Sequence, residues 1–142
     1  LNPGSEPPFS SDRVKHLEFI QAVVTRLGNN SFLVKGWGMT LAGAFIAFSV
    51  NKLSWKIALA GLIPVTGFWL LDSYFLRQER LFRKLYNDVR KRDTTVEVFD
   101  MNHTIHKEVT SWASTALSHT MLLFYGPLVV ILLSLVVWGS LG

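Results

Sequence analysis

The chain has 142 residues, 49% of them hydrophobic and 13% aromatic, with only 17% charged and a mean hydropathy of +0.30. A soluble domain carries about a quarter charged residues, and a disordered chain is poorer in apolar ones, so this balance excludes a disordered tail and argues against an ordinary soluble domain. Cysteine is absent and the net charge is +4, which removes disulfides, thiolate metal sites and a cysteine nucleophile.

In chain order, residues 1–10, LNPGSEPPFS, read as a flexible Pro- and Ser-rich lead-in. No cleavable signal peptide is expected, because the first apolar run begins only at Phe32. Residues 11–28 predict an amphipathic helix. Ser11 or Asp12 can cap it, and Val14, Leu17, Ile20, Val24 and Leu27 recur at spacings of three and four. Gly28-Asn29-Asn30 is the expected end of that helix. Its mixed polar face favours packing on another helix over lying in the headgroup plane.

Three windows lack charge and predict membrane spans. The first covers 36–51 and the second 57–71. The third is densely apolar from Met121 to Trp138. A spanning helix needs about 20 apolar residues, with a lower bound near 17. The third window clears that bound and the first two fall just short of it. The short windows are extended by aromatic and aliphatic flanks and by snorkelling lysines, Lys35 and Lys52. Trp37, Trp55, Trp69, Trp112 and Trp138 lie in or near the window ends, where amphipathic rings favour the membrane interface. The spans are placed at 32–51, 55–76 and 118–140. Of the 14 Lys and Arg, 12 precede the first charge-free window, Lys35 among them, or follow the second span. The positive-inside rule then puts the N-terminus and the connector in the cytoplasm and the C-terminus outside.

The second span should run on as a cytoplasmic helix over 77–92, since no breaker follows Pro64. Leu71, Phe75, Gln78, Phe82, Leu85 and Val89 alternate at four and three, the spacing of a helix–helix seam. Residues 77–92 hold seven basic and two acidic side chains. Arg77, Arg80, Lys84, Arg90 and Lys91 are therefore candidates for contact with anionic lipid or with an acidic soluble partner. Nucleic acid fits poorly, because no recognition fold accompanies the charge. Residues 93–111 form a connector, within which Val96 and Val98 suggest a short extended segment; since one isolated strand is not stable, it must either pair or be a loop packed on the helices.

The fold class is accordingly an all-α integral membrane protein: three transmembrane helices, an N-terminal amphipathic helix and a long cytoplasmic extension of the second span. Small residues four apart, Gly38 with Ala42 and Gly43 with Ala47, permit close helix packing within one chain or between chains. Together with the seam residues Phe75, Phe82, Leu85 and Val89 they favour a homo-oligomer surrounded by membrane lipid. Asp72, the acidic residue at a span edge, has two readings: an intramembrane polar site, or an interfacial residue within reach of Arg77 and water. His103 and His106 are too few to define a zinc site and read as a surface loop. Ser111, Ser114, Thr115, Ser118 and Thr120 have only His119 near in sequence, which does not amount to a catalytic set. No enzyme activity and no cofactor are expected.

The block WLLDSYFLRQERLFRKLYNDVRKRD, followed by VEVFDMN and SWASTALSHTMLLFYGPL, resembles a group of small multi-pass bacterial inner-membrane proteins of conflict and defence loci, encoded beside TIR-like or nucleotide-second-messenger genes. The resemblance spans Val14 to Leu135 and carries no catalytic motif. It implies an effector or partner subunit at the inner membrane. With the oligomer argued above, the expected function is a membrane-perturbing or leak-forming effector gated through its cytoplasmic helices, with a soluble signalling or effector protein as candidate partner. The alternative is a non-conducting anchor that presents a basic helical platform.

Overall fold

The structure is a computed structural model and describes residues 9–52 and 54–141; most of the expected lead-in, residues 1–8, lies outside the described residues. The chain is all-helical. Helix α1 covers Ser11–Lys52, α2 Trp55–Val89, a 3-10 helix His103–Val109, α3 Trp112–Ala116 and α4 His119–Leu141. Three of these, α1, α2 and α4, are long and apolar enough to cross a membrane.

Helix α1 does not end at Gly28-Asn29-Asn30: it is one rod of 42 residues, about 63 Å long. The expected break gives way to packing. His16, Ile20, Val24, Ser31, Val34, Gly38, Ala42 and Ser49 are buried along one stripe of the entire helix, all against α2 or what packs on it. A glycine within a helix costs only about 1 kcal/mol relative to alanine. Interrupting the stripe would expose backbone groups and lose contacts on both sides. The amphipathic helix and the first span are therefore the two halves of one element.

Helix α2 has 35 residues and runs back antiparallel to α1. Pro64 lies inside it without ending it, since neighbouring helices and small local adjustments can satisfy the freed carbonyl. The helix stops at Val89, short of the expected Arg92. The Arg90 N–H still bonds the Tyr86 carbonyl at 3.0 Å, but that of Lys91 turns to Asp88 at 3.1 Å. Helix α4 lies against the apolar half of this hairpin.

The core is correspondingly in two parts. In the apolar half Ala42, Ala58, Val65, Met121, Tyr125 and Leu132 are buried together. In the polar half Ile20 and Val24 of α1 meet Leu85 and Val89 of α2, with Leu17, Phe82, Tyr86, Val96 and Met101 around them. The seam centre is shifted from the sequence expectation: Leu81 is fully buried, whereas Leu71 is exposed and Phe75 and Phe82 are half-buried. No strand forms over 94–102 among the described residues. Val96 and Met101 instead turn their side chains onto the polar-half cluster, the Asp100 N–H closes a turn on the Glu97 carbonyl at 3.1 Å, and Phe99 adopts φ 66°. A lone strand has no ladder partner, so the backbone bonds go into turns.

Candidate functional site

Where the two halves meet, three helices converge on one carboxylate. Asp72 on α2 is fully buried. Lys35 on α1 places its Nζ 2.6 Å from Asp72 Oδ2. Ser31, one helical turn earlier on the same face, donates its hydroxyl to Asp72 Oδ1 and accepts from Lys35 Nζ at 2.8 Å. From α4, the Tyr125 hydroxyl lies 3.2 Å from Asp72 Oδ2 and 3.4 Å from the Phe68 carbonyl. Having one proton, it donates to the charged and nearer acceptor.

Packing holds this centre in place. Trp69 stacks on Tyr125, with ring centroids 6.0 Å apart and planes 5° from parallel, and its Nε1–H donates to the Ala116 carbonyl at 2.9 Å. Gly38 makes room for these groups. A Cβ there would lie 3.3 Å from Phe68 Cβ and 3.7 Å from the Tyr125 ring. Ser73, also buried, bonds back to the Trp69 carbonyl at 2.7 Å.

An unpaired buried carboxylate is strongly disfavoured; a paired and hydrogen-bonded one persists. Asp72 accepts from donors on two other helices, so its charge is compensated only when α1, α2 and α4 are together. The Lys35 side chain keeps 21% of its exposure. The cation therefore reaches the surface while the anion does not. The chemistry available is that of a junction: every polar atom at the centre is committed to a protein partner.

Comparison of the chain with family models, with curated proteins and with solved structures returns no match in any of the three. Its function is therefore argued from the geometry and from the resemblance described above.

A second set of contacts docks the connector. Arg77 Nε donates to the Thr110 carbonyl at 2.8 Å, and Lys84 Nζ to Thr110 Oγ1 at 2.7 Å. His103 stacks on Phe82 with centroids 4.4 Å apart. His106 Nε2 lies 3.1 Å from Asp88 Oδ2, a close contact too poorly aligned to be a hydrogen bond. His16 on α1 is buried and donates from Nε2 to the Asp100 carbonyl at 2.9 Å. Lys91 pairs with Asp88 at 2.6 Å. This hydrogen bond, followed by the charges of Lys91 and His106, holds the Asp88 carboxyl below its ordinary range despite opposing desolvation.

The residues singled out from sequence thus divide. Gly38 and Ala42 pack inside the chain, while Gly43 and Ala47 face outward, Gly43 with open space where a Cβ would stand. Leu85 and Val89 lie in the polar-half core, with Phe82 at its edge and Phe75 edge-on to Tyr74. Of the five basic candidates, Arg77, Lys84 and Lys91 bond within the chain; Arg90 is exposed and Arg80 partly so. Asp72 is the centre of the site, and Ser31, Tyr125, His16 and Thr110 are partners that sequence reasoning left out. One signal was available for Lys35. It stands as far before Lys52, the end of α1, as Asp72 stands after Trp55, the start of α2, so a tight antiparallel hairpin brings them level.

Proposed function

We propose that the chain is an oligomeric protein of the bacterial inner membrane, with its N-terminus and connector in the cytoplasm and its C-terminus outside. In this reading it perturbs or leaks the bilayer when a soluble signalling partner engages the cytoplasmic half. The observation that supports it is continuity. Helices α1 and α2 run unbroken from the polar half into the apolar half, with the Lys35–Asp72 pair at the crossing. A displacement of the cytoplasmic hairpin is therefore carried into the spans. The resemblance to effectors of defence loci supports the setting. Three spans, two of them with short charge-free cores, and an outward face of small residues, Gly43 and Ala47, supply a route to assembly.

Expression with the activating partner should depolarise the inner membrane, read with a potential-sensitive dye. Gly43→Leu should abolish the effect while leaving insertion intact, because the space around Gly43 admits the side chain without disturbing the single chain. A well-expressed, activated wild-type protein that leaves the potential unchanged decides for the anchor. That second reading is supported by the outward position of Arg80 and Arg90, which a soluble partner could contact without any movement of the spans.

A further inference from the structure

The outer side of α2 carries a shallow apolar groove of about 700 Å³ beginning at Lys56 and ending at Leu70. Ala60 and Gly67, two helical turns apart, are its low points, flanked by Leu59, Ile63 and Leu70. Ile63 is 76% exposed, and a Cβ on Gly67 would meet nothing within 4 Å, so no other element among the described residues fills this face. Lys56 at the head of the groove stands with its Nζ 6.0 Å from the Trp55 ring centroid. From Lys56 to Leu70 the helix rises about 21 Å, longer than one leaflet of a hydrocarbon core about 30 Å thick.

We propose that this groove is a binding site for one anionic phospholipid, its phosphate at Lys56 and an acyl chain over Ala60 and Gly67. Charge distinguishes a lipid from a second copy of the chain. All ten Asp and Glu fall before residue 19 or after residue 71, so among the described residues the end of the bundle that bears Lys52 and Lys56 carries no acidic side chain. A copy inserted in the same orientation brings lysines and no Asp or Glu to this end, whereas a phospholipid brings a phosphate and an apolar chain on one molecule. The small residues let the chain lie close to the helix backbone, and Trp55 marks the headgroup level.

The proposal rests on the membrane-spanning reading, which carbonate extraction tests separately: a chain washed from the membrane refutes that reading, and only a retained chain is carried into the lipid assay. The full chain is reconstituted in vesicles containing equal amounts of phosphatidylcholine and phosphatidylglycerol, extracted in mild detergent and weighed by native mass spectrometry. Wild type should retain one phosphatidylglycerol per chain in about fivefold preference to phosphatidylcholine, the scale of one lysine near an anionic headgroup. Lys56→Gln should remove the preference, and Ala60→Leu with Gly67→Leu should reduce retention of both lipids. Arg80→Gln, at the other end, should change nothing. No preference in wild type, a preference that survives Lys56→Gln, or one that follows Arg80 overturns the proposal. A double leucine variant that alters the oligomeric mass but not the lipid count also overturns it, and gives the face to a second copy.

Discussion

The same two helices are held together by different physics on the two sides of Asp72. In the polar half, α1 and α2 meet through branched aliphatic side chains: Ile20 and Val24 against Leu85 and Val89. In the apolar half they meet through small residues and close backbone approach. A Cβ on Gly61 would fall 2.8 Å from Phe45 Cβ, and one on Gly139 of α4 would fall 3.1 Å from Trp55 Cβ. Water drives the first arrangement, since burying each such side chain contributes about 1.5–3 kcal/mol. On the proposed membrane-spanning reading lipid removes that drive, because hydrocarbon is as apolar as leucine, and leaves close packing and polar contacts to hold the spans. The contrast teaches that a single continuous helix can change its packing rule along its length. The change falls at the level of the buried ion pair.

The comparison breaks first at that pair. Lys35→Ala leaves Asp72 buried and uncompensated and should cost about 3–5 kcal/mol, measured as a lowered midpoint of thermal or denaturant unfolding in detergent. Lys35→Met with Asp72→Leu should recover most of that loss. A double variant as unstable as the single one would show that the centre does more than compensate its own charges.

The next largest effect lies in the polar half. Leu85→Ala should cost about 2–5 kcal/mol by leaving a cavity in a fully buried cluster, and Phe82→Ala, at the half-buried edge, should cost less. In the apolar half the rule inverts, and adding atoms does the damage. Gly61→Ala should destabilise by about 1–3 kcal/mol, because the obstructing Phe45 Cβ is fixed to its backbone and cannot swing aside. Gly43→Ala, in open space, should be nearly neutral. Equal effects of Gly61→Ala and Gly43→Ala would refute the close approach of α1 and α2.

The smallest effect is electrostatic and confined to the polar half. The Asp88 carboxyl is held below its ordinary value of 3.8, first by the hydrogen bond from Lys91. Its contribution to stability is therefore fully present above that value and is lost as pH falls through the lower, folded-state value. Lys91 is raised above 10.5 by the same bond, so its part is present below that pH and lost as pH rises through the folded-state value. Lys91 is exposed and Asp88 partly so, and solvent screens the pair. Asp88→Asn should flatten a shallow acid limb in the unfolding midpoint, lowering the midpoint slightly near neutral pH and leaving it unchanged in acid, where the wild-type carboxyl is already protonated.

Much of the apolar half was legible in the sequence because its determinants are local. Charge-free length marks the three windows; in the polar half only the spacing of Leu85 and Val89 at four marks a buried face. The helix break expected at Gly28-Asn29-Asn30 does not occur, and the segment near Val96 takes the packed-loop form rather than a paired strand, for one reason. Local propensity is worth about 1 kcal/mol per residue, and both segments are overruled by contacts with residues far away in the chain. Gly28 faces α2, where a Cβ would lie 3.8 Å from Glu79, and Val96 packs beside Leu85. The roles of Arg77 and Lys84 were hidden in the same way, since Thr110, which they hold, lies 33 and 26 residues further along the chain, at the far end of the connector.

By itself, the sequence determined that the chain is helical, that three segments are apolar enough to cross a membrane, and that basic charge gathers on one side of them. These properties are sums over neighbouring residues and need no partner. Only the tertiary structure decided that Lys35, rather than Arg77, neutralises Asp72, that Ser31 and Tyr125 complete the centre, and that Gly43 faces outward while Gly38 faces in. A charge pair is selected by distance in space. That distance depends on the register of the α1–α2 hairpin and on the azimuth of each helix, which the turn between Lys52 and Trp55 and the packing of Tyr125 set together.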